Sequence, residues 1–194
     1  MVLSFTLDTY CAIAVAKDES DAQHVNRLIE LANEGQISLA RVTTGVKADQ
    51  TTASPGQASA NAEVWSGIDM LEEVAGLLWV SDDPSVPKRD RTEFAFFNSG
   101  DTLGGPEDLQ LDELIADIVV GRPPEIAGRR MIDVHHLSAH RRSGRDIFVS
   151  GNTRDMIKNG KRARLLSEVG IRVMTPAEAV NHALNRVASP APSS

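Results

Sequence analysis

Residues 131–180 read MIDVHHLSAHRRSGRDIFVSGNTRDMIKNGKRARLLSEVGIRVMTPAEAV, and their pattern decides the fold. Ile132, His136 and Ala139 recur at helical spacing, and Gly144 stops that helix. Residues 146–149, Asp-Ile-Phe-Val, form a short apolar strand, and Ser150-Gly151-Asn152-Thr153-Arg154-Asp155 is a polar turn at its carboxyl end. Residues 161–168 are a second helix with Gly170 just past its end, and 171–174 a second strand. Thr175-Pro176-Ala177-Glu178 is a capping box with proline at the first helical position, so a last helix starts there. Helix, strand, loop, helix, strand, helix in that order is an α/β unit. In such sheets ligands sit at the carboxyl ends of parallel strands, which singles out the turn 150–155 and Asp133 on the preceding helix.

The amino-terminal part repeats the theme. Residues 5–9 are a strand ending in Asp8-Thr9, Asp18 or Ser20 caps a helix with Val25, Leu28, Ile29, Leu31 and Ala32 on one face, and 37–42 is a strand. If the two strands are parallel, this is a right-handed βαβ unit with Asp8 on the carboxyl edge. Residues 50–62 read as a polar loop, 64–78 as a helix, 94–97 as a strand, and 109–120 as an amphipathic helix ended by Gly121. The glycine-rich stretch 98–106 fits neither a P-loop nor a dinucleotide fingerprint. Residues 189–194, SPAPSS, carry no apolar anchor and read as a loose tail.

With 194 residues, 41% hydrophobic and 24% charged, the chain suffices for one domain, taken as 1–188. A formal net charge of -7 argues against a protein that coats nucleic acid through a broad basic surface, but suits a site crowded with carboxylates. The single cysteine, Cys11, makes an internal disulfide impossible and favours a reducing, cytoplasmic setting. The opening residues lack the basic start of a signal peptide, and no stretch is apolar for long enough to span a bilayer.

Asp133-x-x-His136-Leu137-x-Ala139, the strand running into Ser150, the acid-bearing loop, and Leu166-x-x-x-Gly170-Ile171-x-Val173-x-Thr175-Pro176-x-Glu178 resemble the carboxyl-terminal half of a PIN domain, a metal-dependent nuclease fold. The strand ending in Asp8-Thr9 resembles that family's first strand. The resemblance implies a three-layer α/β/α fold with a central, mostly parallel sheet, here carrying a helical insertion over 50–130. It also implies a ribonuclease that holds Mg²⁺ or Mn²⁺ on carboxylates, with Asp8, Asp133 and Asp155 as ligands, Asn152 beside them, and Asp49 as the second acid. Asn152 departs from the family, which usually has Asp there. Small PIN proteins are often toxins held by an antitoxin, and often dimers, so an antitoxin-like protein or a second copy of the chain is the partner to look for. No membrane association is expected.

The chemistry agrees with that ligand set. Hydrolysis of a phosphodiester needs an activated water and neutralisation of the phosphate charge, and a divalent cation on hard oxygen ligands supplies both. Arg141, Arg142 and Arg154, with Arg145, are candidates to grip substrate phosphates, although a solvated basic turn would look the same. Two alternatives stay open: a non-catalytic module that binds RNA or protein, with Asn152 as the trace of lost activity, and a zinc hydrolase built on His136, His140 and Asp133. The insertion either lays the loops 51–62 and 98–106 over the carboxyl edge, tuning access without supplying ligands, or adds a helix pair that completes the core.

Overall fold

The computed structural model describes residues 2–42, 66, 68, 70–74, 77–78, 102–103, 106–121 and 131–188. The polar loop 50–62, the strand expected at 94–97, the tail 189–194 and Asp49 lie outside them.

β1 (Leu3–Leu7) is followed by α1 (Thr9–Ala16), α2 (Ala22–Asn33) and β2 (Ile37–Val42). β3 (Glu72–Val74), β4 (Leu77–Leu78), β5 (Thr102–Leu103) and α3 (Pro106–Val119) come from the insertion. Then follow α4 (Met131–Arg142), β6 (Ile147–Val149), a π-helical turn (Thr153–Ile157), α5 (Lys161–Arg164) running on as a second π-helical turn (Leu165–Val169), β7 (Val173–Met174) and α6 (Pro176–Ala188). The main sheet is parallel throughout, in the order β3-β2-β1-β6-β7, and β4 pairs with β5 separately.

Alternation along the strands sorts the layers. Phe5 and Leu7 of β1, with Ile147 and Val149 of β6, pack against Cys11, Val25, Leu28, Leu31, Ala179 and Ala183, so α1, α2 and α6 cover one face. Phe148 points the other way, into Ile115, Val119, Val134, Leu137, Met156 and Leu165, so α3, α4 and the helical turns after β6 cover the second. This is the three-layer α/β/α architecture. Glycines with positive φ at 121, 144 and 170 end helices where the sequence placed the stops. The capping box is present: Glu178 N donates to Thr175 Oγ1 at 3.3 Å, and Thr175 N to Glu178 Oε2 at 2.9 Å.

Three expectations need correction. Residues 9–16, TYCAIAVA, form a helix that the pattern did not reveal, because the segment is apolar on nearly every side. The next helix starts at Ala22 with Asp21 at the N-cap position and no side-chain cap bond, while Asp18 takes a positive φ in the turn before it. The helix read over 64–78 gives way to β3 and β4. Ala40, Arg41 and Val42 of β2 pair with Glu72, Glu73 and Val74, and Glu73 binds the buried Arg41 at 2.8 Å, a long-range partner that local periodicity cannot register. The insertion therefore completes the sheet edge, and through α3 part of the second layer.

Phe148 is fully buried and meets His140 edge-on, ring centroids 5.5 Å apart. Phe148→Ala should cost about 3–5 kcal/mol of unfolding free energy, measured by urea titration, whereas Thr175→Ala should cost about 1 kcal/mol.

Candidate functional site

β1 runs in sequence to β2 on one side and, after the insertion, to β6 on the other, so the strand order reverses between β1 and β6. At such a switch point the connections leave toward opposite faces and a crevice opens beyond the strand ends. Asp8 ends β1 there, and Ser150 follows β6.

The Asp8 carboxylate is almost wholly buried, at 3% exposure. A charge so placed costs several kcal/mol unless it is hydrogen-bonded. Oδ1 accepts from Thr9 N at 2.7 Å, capping α1, and lies 3.1 Å from His136 Nδ1. Oδ2 accepts from Ser150 Oγ at 2.6 Å. An ionised carboxylate only accepts, which assigns the proton of His136 to Nδ1. Its Nε2 is buried and has no hydrogen-bond partner among the described residues.

The polar chain continues. Asn152 N donates to Ser150 Oγ at 3.0 Å, Asn152 Oδ1 accepts from Asp155 N at 3.2 Å, and Asn152 Nδ2 approaches Asp133 Oδ2 at 3.5 Å. Asp133 stands in the first turn of α4, where the helix dipole favours an acid. A cleft of about 440 Å³ is lined by Asp8, Thr9, Tyr10, Asp133, Asn152 and Arg154, among others. A second cleft of equal volume, lined by residues of and around α5 and α6, has Glu178 as its one lining carboxylate, which accepts hydrogen bonds from Arg162 at 2.8 and 2.9 Å.

Of the residues singled out in the sequence, Asp8, Asp133, Asn152 and Arg154 share the first cleft. Asp155 is turned aside: it is 7% exposed, is not among the residues lining that cleft, and meets the Arg154 guanidinium at 3.1 Å. Arg141 and Arg142 end α4, whereas Asp133 begins it, so about 12 Å of helix separates them from the cleft. Arg141 donates to Val169 O at 2.8 Å instead. Arg145 ties strands together by binding Phe5 O, Ser38 and Glu72. Ser150 belongs to the polar turn and Thr9 to the strand end that the sequence pointed to, whereas Tyr10 joins the site with no sequence signal, because it sits in α1, whose pattern carries no helical face.

His136 and His140 lie on one face of α4 but are engaged separately: His136 with Asp8, and His140 Nδ1 with Thr6 Oγ1 at 2.9 Å. Among the described residues no group of three His, Cys, Asp or Glu side chains is arranged to hold a metal, so the zinc set of His136, His140 and Asp133 does not converge. For Mg²⁺ or Mn²⁺ the oxygen donors on hand are two carboxylates, Asp8 and Asp133, and the amide of Asn152. These are hard ligands in a water-accessible cleft, which suits a cation that keeps several waters. Compared with known protein families, curated proteins and solved structures, the chain finds no match.

Burial holds His140 well below the usual histidine range, at about 4, with Arg145 adding to it, and His135 is likewise at about 4 through burial and then His136. In the unfolded chain both titrate near 6.5, so between about pH 6.5 and 4 the unfolded state binds more protons. Their contribution to stability is full above about pH 6.5 and is lost as pH falls toward 4. The urea midpoint should drop between pH 7 and pH 5, and His140→Asn should flatten that dependence. An unchanged slope would show that His140 is not buried as a neutral ring.

Proposed function

We propose that the chain is a PIN-like, divalent-metal-dependent ribonuclease, with Mg²⁺ or Mn²⁺ held between Asp8 and Asp133. The observation that carries this reading is the pair of carboxylates, one ending β1 and one opening α4, that face a single cleft at the switch point of a parallel sheet. When bound, the cation would supply an activated water and neutralise the scissile phosphate. The chain's own residues do the rest. Ser150 and His136 fix the Asp8 carboxylate in one orientation, as groups behind metal ligands commonly do. Arg154, 78% exposed, stands on the rim where a phosphate would pass.

A second reading is favoured by one contact. An aspartate at 152 would face Asp133 with like charge and require a cation between them; the amide of Asn152 instead directs Nδ2 at Asp133. The site as built can persist without metal, which suits a binding module of the same fold. RNA is the substrate in the first reading, and RNA or a protein the ligand in the second; a reducing compartment such as the cytoplasm suits the one cysteine, Cys11, which is buried and whose thiol pKa burial raises.

Cleavage of a labelled RNA with Mn²⁺ separates the two. In the nuclease reading the wild type cuts, and Asp8→Asn and Asp133→Asn each lose at least about a hundredfold in rate, with Ser150→Ala losing about 10- to 100-fold through Asp8. Asn152→Asp should tighten Mn²⁺ binding, because it adds a charge to the ligand set. Metal binding without cleavage, or cleavage indifferent to Asp8 and Asp133, contradicts the nuclease reading.

A further inference from the structure

One residue of the cleft has no part in holding the carboxylates. Tyr10 is the chain's one tyrosine, two residues after Asp8 in the first turn of α1. It lines the same cleft and is partly exposed, and it belongs to neither of the large apolar clusters on the two sheet faces. Its ring lies directly against Gly151: a Cβ there would fall 1.9, 2.2 and 2.7 Å from three ring carbons. Gly151 is not one of the glycines with positive φ, so its backbone does not demand glycine. What demands it is the space taken by the ring. The turn after β6 is thus shaped to hold an aromatic side chain beside the two acids.

Amide, carboxylate and guanidinium groups make up most of the polar lining, and they recognise phosphate and metal without regard to the base. An aromatic ring offers what they lack, a π-face for a nucleobase. Stacking of this kind is how proteins hold unpaired bases of single-stranded RNA, whose bases are free to splay out, whereas bases inside a duplex already stack on one another. Resting on the nuclease reading, we propose that Tyr10, backed by Gly151, is the platform on which a base next to the scissile phosphate stacks, and that it directs the cleft to single-stranded RNA. The ring acts by its face, so the hydroxyl is dispensable. Arg154, which lines the same cleft, takes the adjacent phosphate.

The test is binding, with Ca²⁺ in place of Mg²⁺, of a fluorescein-labelled single-stranded RNA decamer, followed by anisotropy. Tyr10→Leu fills the space without a π-face and should bind about 5- to 100-fold more weakly, the range of one lost base stack, while Tyr10→Phe and Tyr10→Trp stay within about threefold of wild type. Gly151→Ala should behave like Tyr10→Leu, with an unchanged circular dichroism spectrum showing that the fold survives. The same sequence annealed into a duplex should bind more weakly and be insensitive to Tyr10→Leu. Wild-type affinity in Tyr10→Leu, with the wild type binding RNA well, overturns the platform and leaves the nuclease reading standing. A loss in Tyr10→Phe equal to that in Tyr10→Leu also overturns it, because the hydroxyl would then be the contact. Failure of the wild type to bind any RNA removes the nuclease reading and the platform with it.

Discussion

The arrangement turns on one buried carboxylate. Asp8 ends a strand flanked on both sides, is largely buried, and is hydrogen-bonded at both carboxylate oxygens while lining the cleft. The donors come from three elements: the backbone of α1, His136 of α4 and Ser150 after β6. Each is fixed by packing elsewhere, α1 by Cys11 against Leu7, α4 by Leu137 against Phe148, β6 by its ladder with β1. Satisfying Asp8 therefore locks α1, α4 and the β6 turn into one geometry. The cleft is a by-product of that geometry, since the same elements bring Asp133 and Asn152 to its other wall.

Charge then decides what the cleft can hold. Two acids facing one solvent-filled space favour a cation, and each additional carboxylate would strengthen that demand. Of the two further acids the sequence offers, Asp49 lies outside the described residues and Asp155 does not line the cleft. Asp155 lies in the π-helical turn and pairs with Arg154 at 3.1 Å. Asn152, capping that turn through Asp155 N, presents its amide nitrogen to Asp133. The result is a cleft whose lining carries two carboxylates, Asp8 and Asp133, beside the Asn152 amide and the Arg154 guanidinium.

Much of the architecture was legible in the chain because it is written locally. Thr175 and Glu178 announce a helix start, Gly121, Gly144 and Gly170 announce helix ends, and alternation at Phe5 and Leu7 announces a two-sided strand. Asp8 and Asp133 could be paired only because the order of strands and helices implies a parallel sheet. What escaped was set at long range or carried no period. α1 is too uniformly apolar to show a face, Glu73 is held in a strand by Arg41 over thirty residues away in sequence, and Arg141 looked like part of a basic cluster until Val169 claimed it. His136 stands out in the sequence by its helical spacing and as a candidate zinc ligand; it is buried, and its ring nitrogen meets the principal acid.

The central claim is that a divalent cation sits between Asp8 and Asp133, and paramagnetic broadening by Mn²⁺ tests it residue by residue. In a ¹⁵N-labelled sample at substoichiometric Mn²⁺, the amides of Thr9, Asp133, Gly151 and Asn152 should broaden first, while those of α6 and of the second cleft around Glu178 remain sharp. Broadening centred on another part of the chain, or none at millimolar Mn²⁺, would contradict the account.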